Sequence, residues 1–124
     1  KIYVLVIAGT VAGGVMARTY LKSAPEAGMY DAFAQCLAQK QVTMYGAYWC
    51  PHCENQKKLF GSAWEYVPYE ECAIRGQREQ AQACREAGIT GYPTWIFADA
   101  PRVEGEMSFK ALSEKTGCVL PERP

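Results

Sequence analysis

The sequence predicts an α/β domain: a central four-stranded sheet with helices packed on it. Three observations carry the prediction. Short β-favouring runs alternate with helical stretches in the order α-β-α-β-α-β-β-α, and alternating units build a sheet covered by helices. The chain has 124 residues, 49% hydrophobic and 21% charged, enough for one real core and too apolar for wholesale disorder. Six cysteines point to metal binding, redox cycling or disulfide staples in an oxidising compartment. Thirteen basic residues cancel thirteen acidic ones, which leaves no electrostatic case for nucleic-acid binding.

The charge balance is uneven along the chain. Residues Ile2 to Ala17 carry no charge, and every acidic residue lies beyond Lys22. As a helix this run spans about 24 Å, against roughly 30 Å of bilayer hydrocarbon. Lys1 and Arg18 flank it and can snorkel; Tyr3 and Tyr20 sit where interfacial aromatics belong. A signal-peptide core and a buried first strand are the competing readings. The membrane helix is preferred because the run stays apolar without a turn. Gly9 and Gly13 allow close packing in lipid, a weak signal in so small-residue-rich a run. The expected organisation is a transmembrane anchor at 1–22, a linker at 23–30, a folded domain at 31–118 and a tail at 119–124.

In the domain, Asp31 is placed to cap a helix running to about Gln39, with Phe33 and Leu37 on one face. Val42 to Ala47 favours a strand, and a helical stretch follows Cys50 to about Phe60. Trp64 to Glu70 reads as extended despite Pro68, and Gln77 to Ala87 as helical, ended by Gly88. Thr94 to Phe97 and Val103 to Met107 read as strands. Ser108 caps a last helix, stopped by Gly117.

Cys50-Pro51-His52-Cys53 falls at a strand-to-helix junction. The helix N-terminus offers free N–H groups and a favourable dipole to an anion. Cys50 is expected to be the exposed thiol, attacking or attacked as the thiolate, and Cys53 the resolving thiol one turn inside. Pro51 suits the first helical turn. His52, the one histidine of the chain, is read as favouring the thiolate from between the sulfurs. A surface histidine is the plain alternative. Zinc held by Cys50, Cys53, Cys72 and Cys84 is the rival chemistry, but eleven residues separate the second pair, unlike the close pairs of structural zinc sites. No metal is expected.

Tyr45 through Cys53, followed by Gly88-Ile89-Thr90-Gly91-Tyr92-Pro93-Thr94-Trp95, resembles the thioredoxin superfamily. The likeness covers Asp31 to Cys118. Lys57-Lys58-Leu59-Phe60-Gly61 and Tyr69-Glu70-Glu71-Cys72 make it most similar to the thioredoxin-like domain of bacterial and plastid vitamin K epoxide reductase homologues. The resemblance implies a thioredoxin-like fold with a mixed sheet whose second strand is an edge, where Pro68 is tolerated. It implies Cys50 as nucleophile and Cys53 as resolving thiol. It also implies Pro93 as a cis-proline facing them, with Tyr92 presenting its backbone to an extended substrate. Met44 stands where ordinary thioredoxins carry a buried Asp, which argues against a standard cytosolic reductant. The Pro-His pair matches oxidising, periplasmic members.

The resemblance further implies a structural disulfide between Cys72 and Cys84. Two buried thiols, or a pair shuttling electrons to the active site, are the alternatives. Cys36 and Cys118 remain open: an even count invites pairing, but their helices are expected on opposite sheet faces. Trp49 is read as part of the docking surface, and Trp64, Trp95 and Phe97 as core. Glu70 and Glu71 read as a solvated strand end. The expected function is a membrane-anchored thiol–disulfide oxidoreductase, needing no bound cofactor. It would act on client proteins in the periplasm or thylakoid lumen and pass electrons to a membrane quinone reductase of the vitamin K epoxide reductase type. The alternative is a structural or assembly subunit of a larger membrane complex.

Overall fold

A computed structural model of the chain describes residues 28–122. The expected membrane helix at 1–22, residues 23–27 of the linker and residues 123–124 lie outside them. Among the described residues no helix is long and apolar enough to cross a membrane.

Helix α1 (Asp31–Gln39) buries Phe33, Ala34 and Leu37. Tyr30, not Asp31, holds the cap position, and no side chain caps the helix. The preceding turn starts it instead, with the Asp31 N–H donating to the Gly28 carbonyl. Asp31 then lies in the first turn, where a carboxylate still favours the dipole. The helix ends through Gln41 in the left-handed region (φ 58°), with the Val42 N–H bonded back to the Leu37 carbonyl.

Strand β1 (Thr43–Gly46) pairs in parallel with β2 (Tyr69–Glu71) and antiparallel with β3 (Thr94–Ile96), which pairs antiparallel with β4 (Val103–Glu104). The order β2-β1-β3-β4 makes a mixed four-stranded sheet. The parallel pair needs a crossover, and α2 (Pro51–Phe60) with the 3₁₀ helix Gly61–Tyr66 supplies it.

Three elements are shorter than their sequence pattern implies; one is β4, which ends at Glu104 and not at Met107 because the chain turns at Gly105 (φ 102°). The stretch from Trp64 begins inside the 3₁₀ helix, because the chain turns at Gly61 (φ 58°) and packs Ala63 and Trp64 inward before extending. Trp64 is therefore half-buried rather than fully core. Pro68 precedes β2, and its carbonyl accepts the Met44 N–H, so its missing donor costs the ladder nothing. The helix expected from Gln77 to Ala87 is only α3 (Gln82–Glu86). Its upstream residues are held open because Gln80 bonds the Ile89 carbonyl and the Tyr92 hydroxyl, and the Ala81 N–H bonds the Cys72 carbonyl.

Helix α4 (Phe109–Thr116) is capped by Ser108, which accepts the Ala111 N–H, and ended by Gly117 at φ 77°. Met44 and Trp95 join one cluster, whereas Tyr45 and Ile96 pack on a smaller one around Cys72, Cys84 and Ile89. The sheet is thus covered on both faces, as strand alternation requires. The first and last helices do not lie on opposite faces as expected. Phe33 of α1 and Phe109 of α4 meet at 5.3 Å in the larger cluster.

This shared face brings Cys36 to Cys118, and they form a disulfide with Cα atoms 5.8 Å apart across 82 residues. Cys72 and Cys84 form the second, across 12 residues. On chain-entropy grounds the longer loop stabilises by about 4.5 kcal/mol and the shorter by about 3 kcal/mol. Urea unfolding of paired alanine variants checks this. Removing Cys36 and Cys118 is expected to lower the midpoint further than removing Cys72 and Cys84.

Candidate active site at the start of the second helix

Strand β1 hands the chain through a short turn to Cys50, which occupies the N-cap of α2 with Pro51 in the first turn. The Cys50 Sγ accepts the Cys53 N–H at 3.3 Å, so the sulfur does what a Ser or Asp oxygen does at other N-caps. Cys50 also donates its thiol to the Tyr92 carbonyl at 3.6 Å. The Tyr92–Pro93 peptide bond is cis. Cys50, Cys53, Tyr92 and Pro93 are therefore brought together at one place. Cys50 and Cys53 are the two free cysteines.

Cys50 was expected to be exposed. It is only 5% exposed, against 0% for Cys53. The order of access holds but the opening is narrow, because the Tyr92 backbone sits over the sulfur. Trp49 is 60% exposed and meets Tyr92 edge-to-face at 5.8 Å. It stands at the rim as an apolar surface.

His52 does not bond to either sulfur. It lies 68% exposed on the outer side of the first turn, with Nδ1 2.8 Å from the Glu106 carboxylate. Cys72 and Cys84 are bonded to each other, which removes them from any four-thiolate zinc site. Among the described residues no group of three His, Cys, Asp or Glu is placed to hold a metal.

Behind Cys53 lies a set of groups that sequence patterning did not bring together. Gly46 lies against them: a Cβ there would sit 2.9 Å from Cys53 Sγ, 3.0 Å from the Tyr69 ring and 3.2 Å from its hydroxyl. Tyr69 donates its hydroxyl to Glu71, whose other oxygen accepts the Tyr48 N–H at 2.7 Å. Glu71 is therefore tied into the active-site turn and is not a solvated strand end. Lys57 stacks on Tyr69, its Nζ 4.3 Å from the ring centre. Met44, beneath this region, is fully buried.

Gln56 was also missed. It is buried and fastens α2 to the loop before α4, donating to the Met107 carbonyl at 3.0 Å and accepting the Met107 N–H at 2.7 Å and the Trp95 indole N–H. The readable signal was a glutamine in the buried stripe Cys53, Gln56, Phe60, where a polar residue needs partners.

Burial pushes the Cys53 thiol up to about 12, with the hydrogen bond to Cys50 adding to it. Burial likewise raises Tyr69, helped by its bond to Glu71. Burial disfavours the charged form of each.

No protein-family model matches the chain. It is 40% identical over 93 residues to the thiol-disulfide oxidoreductase LTO1 of Arabidopsis thaliana, an alignment covering 72% of this chain and 24% of the relative. The chain thus spans about a quarter of that relative's length. The likeness supports a redox family of thioredoxin-like proteins, and the mixed four-stranded sheet with helices is consistent with that fold.

Two expectations follow. The reduced protein loses stability as pH rises above 9. There the unfolded chain releases the Cys53 proton from its ordinary 9.0, and the fold retains it until about 12. Urea midpoints measured across this range should fall, and Cys53→Ala should flatten the first part of the fall. Gln56→Ala leaves three buried groups unpaired, at about 1–3 kcal/mol each. A clear drop in melting temperature is expected, without loss of free-thiol count.

Proposed function

We propose that the chain is a thiol–disulfide oxidoreductase domain working through Cys50 and Cys53. The observation that carries this reading is the contrast among its cysteines. Four are locked in two disulfides, and the remaining two meet at a helix N-terminus beside the Tyr92 carbonyl. The relative's name supports the same activity.

The proposed chemistry is an exchange of sulfur bonds. A client thiolate attacks Cys50 in the oxidised Cys50–Cys53 pair, the Cys50–Cys53 bond breaks, and Cys53 leaves with the electron pair. A second client thiolate attacks the client sulfur of the mixed disulfide. The client departs oxidised, and two electrons remain on the reduced pair. Entry can also run the other way: Cys50 attacks a client disulfide, and either Cys53 attacks Cys50, so that the client leaves reduced and the pair is oxidised, or another client thiolate attacks the client sulfur and frees Cys50 unchanged, which shuffles the client's disulfides. The helix N-terminus stabilises the Cys50 thiolate in both directions. His52 stands at the same helix end, held outward by the Glu106 carboxylate. Trp49 and the Tyr92 backbone supply the client-binding rim, and Pro93 shapes it.

The address and partners are part of the proposal. The two structural disulfides fit an oxidising compartment, periplasm or thylakoid lumen. The uncharged run at residues 2–17 fits a membrane anchor. The likeness of the Cys50 and Cys72 segments to vitamin K epoxide reductase homologues favours a membrane quinone reductase of that type as electron acceptor.

The test is trapping. Cys53→Ala should accumulate covalent complexes with client proteins that a reductant dissolves. Cys50→Ser should form none and should lose disulfide exchange by several orders of magnitude. Undiminished exchange by Cys50→Ser would overturn the reading.

A further inference from the structure

Resting on that reading, a question of proton transfer remains at Cys53. To close on a mixed disulfide it must become a thiolate, yet it is fully buried and its proton needs an acceptor. Met44, buried under the same region, has none to offer. The geometry points to Glu71: we propose that Glu71, acting through the Tyr69 hydroxyl, takes the Cys53 proton as that thiol resolves the mixed disulfide.

The placement is specific. Cys53 Sγ and the Tyr69 hydroxyl face the same point beside Gly46, at 2.9 and 3.2 Å. The absence of a side chain at Gly46 leaves them across from each other, within reach on a small movement or through one water. The phenol already donates to Glu71. Tyr69 is disfavoured as an anion by burial and by Glu71, so it passes the proton on rather than keeping its own charge. Glu71 is half-buried and can return a proton to water. It is held in place from its other side by the Tyr48 N–H.

The neighbouring charges do not offer a better acceptor. Lys57 faces the Tyr69 ring rather than its hydroxyl and pairs with Glu54 at 3.6 Å. Glu54 is exposed on α2. Cys50 is the partner sulfur itself, and Tyr92, whose phenol is likewise raised by burial, donates to Gln80.

The step balances. The Cys53 proton passes to the Tyr69 oxygen as the phenol proton passes to Glu71. Cys53 sulfur bonds to Cys50 sulfur, the Cys50–client bond breaks, and its electron pair leaves on the client sulfur. The client sulfur is reduced, Cys50 and Cys53 end as a disulfide, and Glu71 ends protonated. Glu71 and Tyr69 are thus positioning and proton-transfer residues that never touch the client.

The experiment follows release of thionitrobenzoate from a mixed disulfide preformed on Cys50, in a single turnover across pH 6 to 10. In the unmodified chain the rate should be nearly flat near neutrality. Glu71→Gln, which keeps an oxygen for the Tyr48 N–H, should slow release by about tenfold or more near neutrality, within the range of general base catalysis. It should recover at high pH and with added acetate or imidazole. Tyr69→Phe should show the same pH-dependent loss. Formation of the mixed disulfide, measured in a Cys53→Ala background, should be unchanged. Equal slowing at every pH, or unmodified-chain rates in both variants, would overturn the proposal while leaving the oxidoreductase reading intact. An unmodified chain that releases no thionitrobenzoate at any pH would overturn both.

Discussion

A methyl group on Gly46 would lie 2.9 Å from Cys53 Sγ and 3.0 Å from the Tyr69 ring, closer than carbon atoms are tolerated. The active-site helix therefore depends on a strand residue with no side chain. Because β1 can come this near α2, Cys53 seats fully against the sheet. Cys50, one turn earlier, is then left at the mouth of the site with its sulfur against the Tyr92 carbonyl. Here glycine serves close approach rather than unusual backbone angles.

Two polar fasteners keep that arrangement from sliding. Gln56 ties the buried side of α2 to Met107 and Trp95. Glu71 ties the edge strand to the turn at Tyr48. The Gln56 bonds are buried, where satisfied hydrogen bonds fix a unique geometry and missing ones cost most. The two disulfides brace the elements that carry the site, and the Cys72 N–H bonds the Gly46 carbonyl itself. One joins the first and last helices, and the other joins the edge strand to α3. The Cys50 and Cys53 pair is thus mounted on a braced frame, with the exposed rings of Tyr48 and Trp49 beside it.

The placement of the Cys-Pro-His-Cys segment was legible, because a β-favouring run passes there into a helical stretch with proline in its first turn. The order of elements was also legible, because the apolar periods change cleanly between strands and helices. What escaped was decided by contacts distant in sequence. Trp64 has strand propensity, but packing of Ala63 and Trp64 winds it into a 3₁₀ turn. Gln77 to Ala81 look helical, but Gln80 finds better partners in Ile89 and Tyr92. Glu71 resembled a surface acid because its partners lie two residues away on the strand and 23 residues back in the turn. His52 is drawn outward by Glu106, which lies 54 residues on. The Cys36–Cys118 pairing depended on which sheet face each helix covers, and local pattern does not encode that.

In the proposed function one cysteine pair cycles while two pairs only brace the fold. Equilibration in glutathione buffers of graded potential, followed by alkylation and mass analysis of each cysteine, tests it directly. A single two-electron transition is expected, in which Cys50 and Cys53 appear as thiols together, with Cys36, Cys72, Cys84 and Cys118 still paired. Opening of all six cysteines in one transition, or Cys50 and Cys53 remaining thiols at every potential, would contradict it.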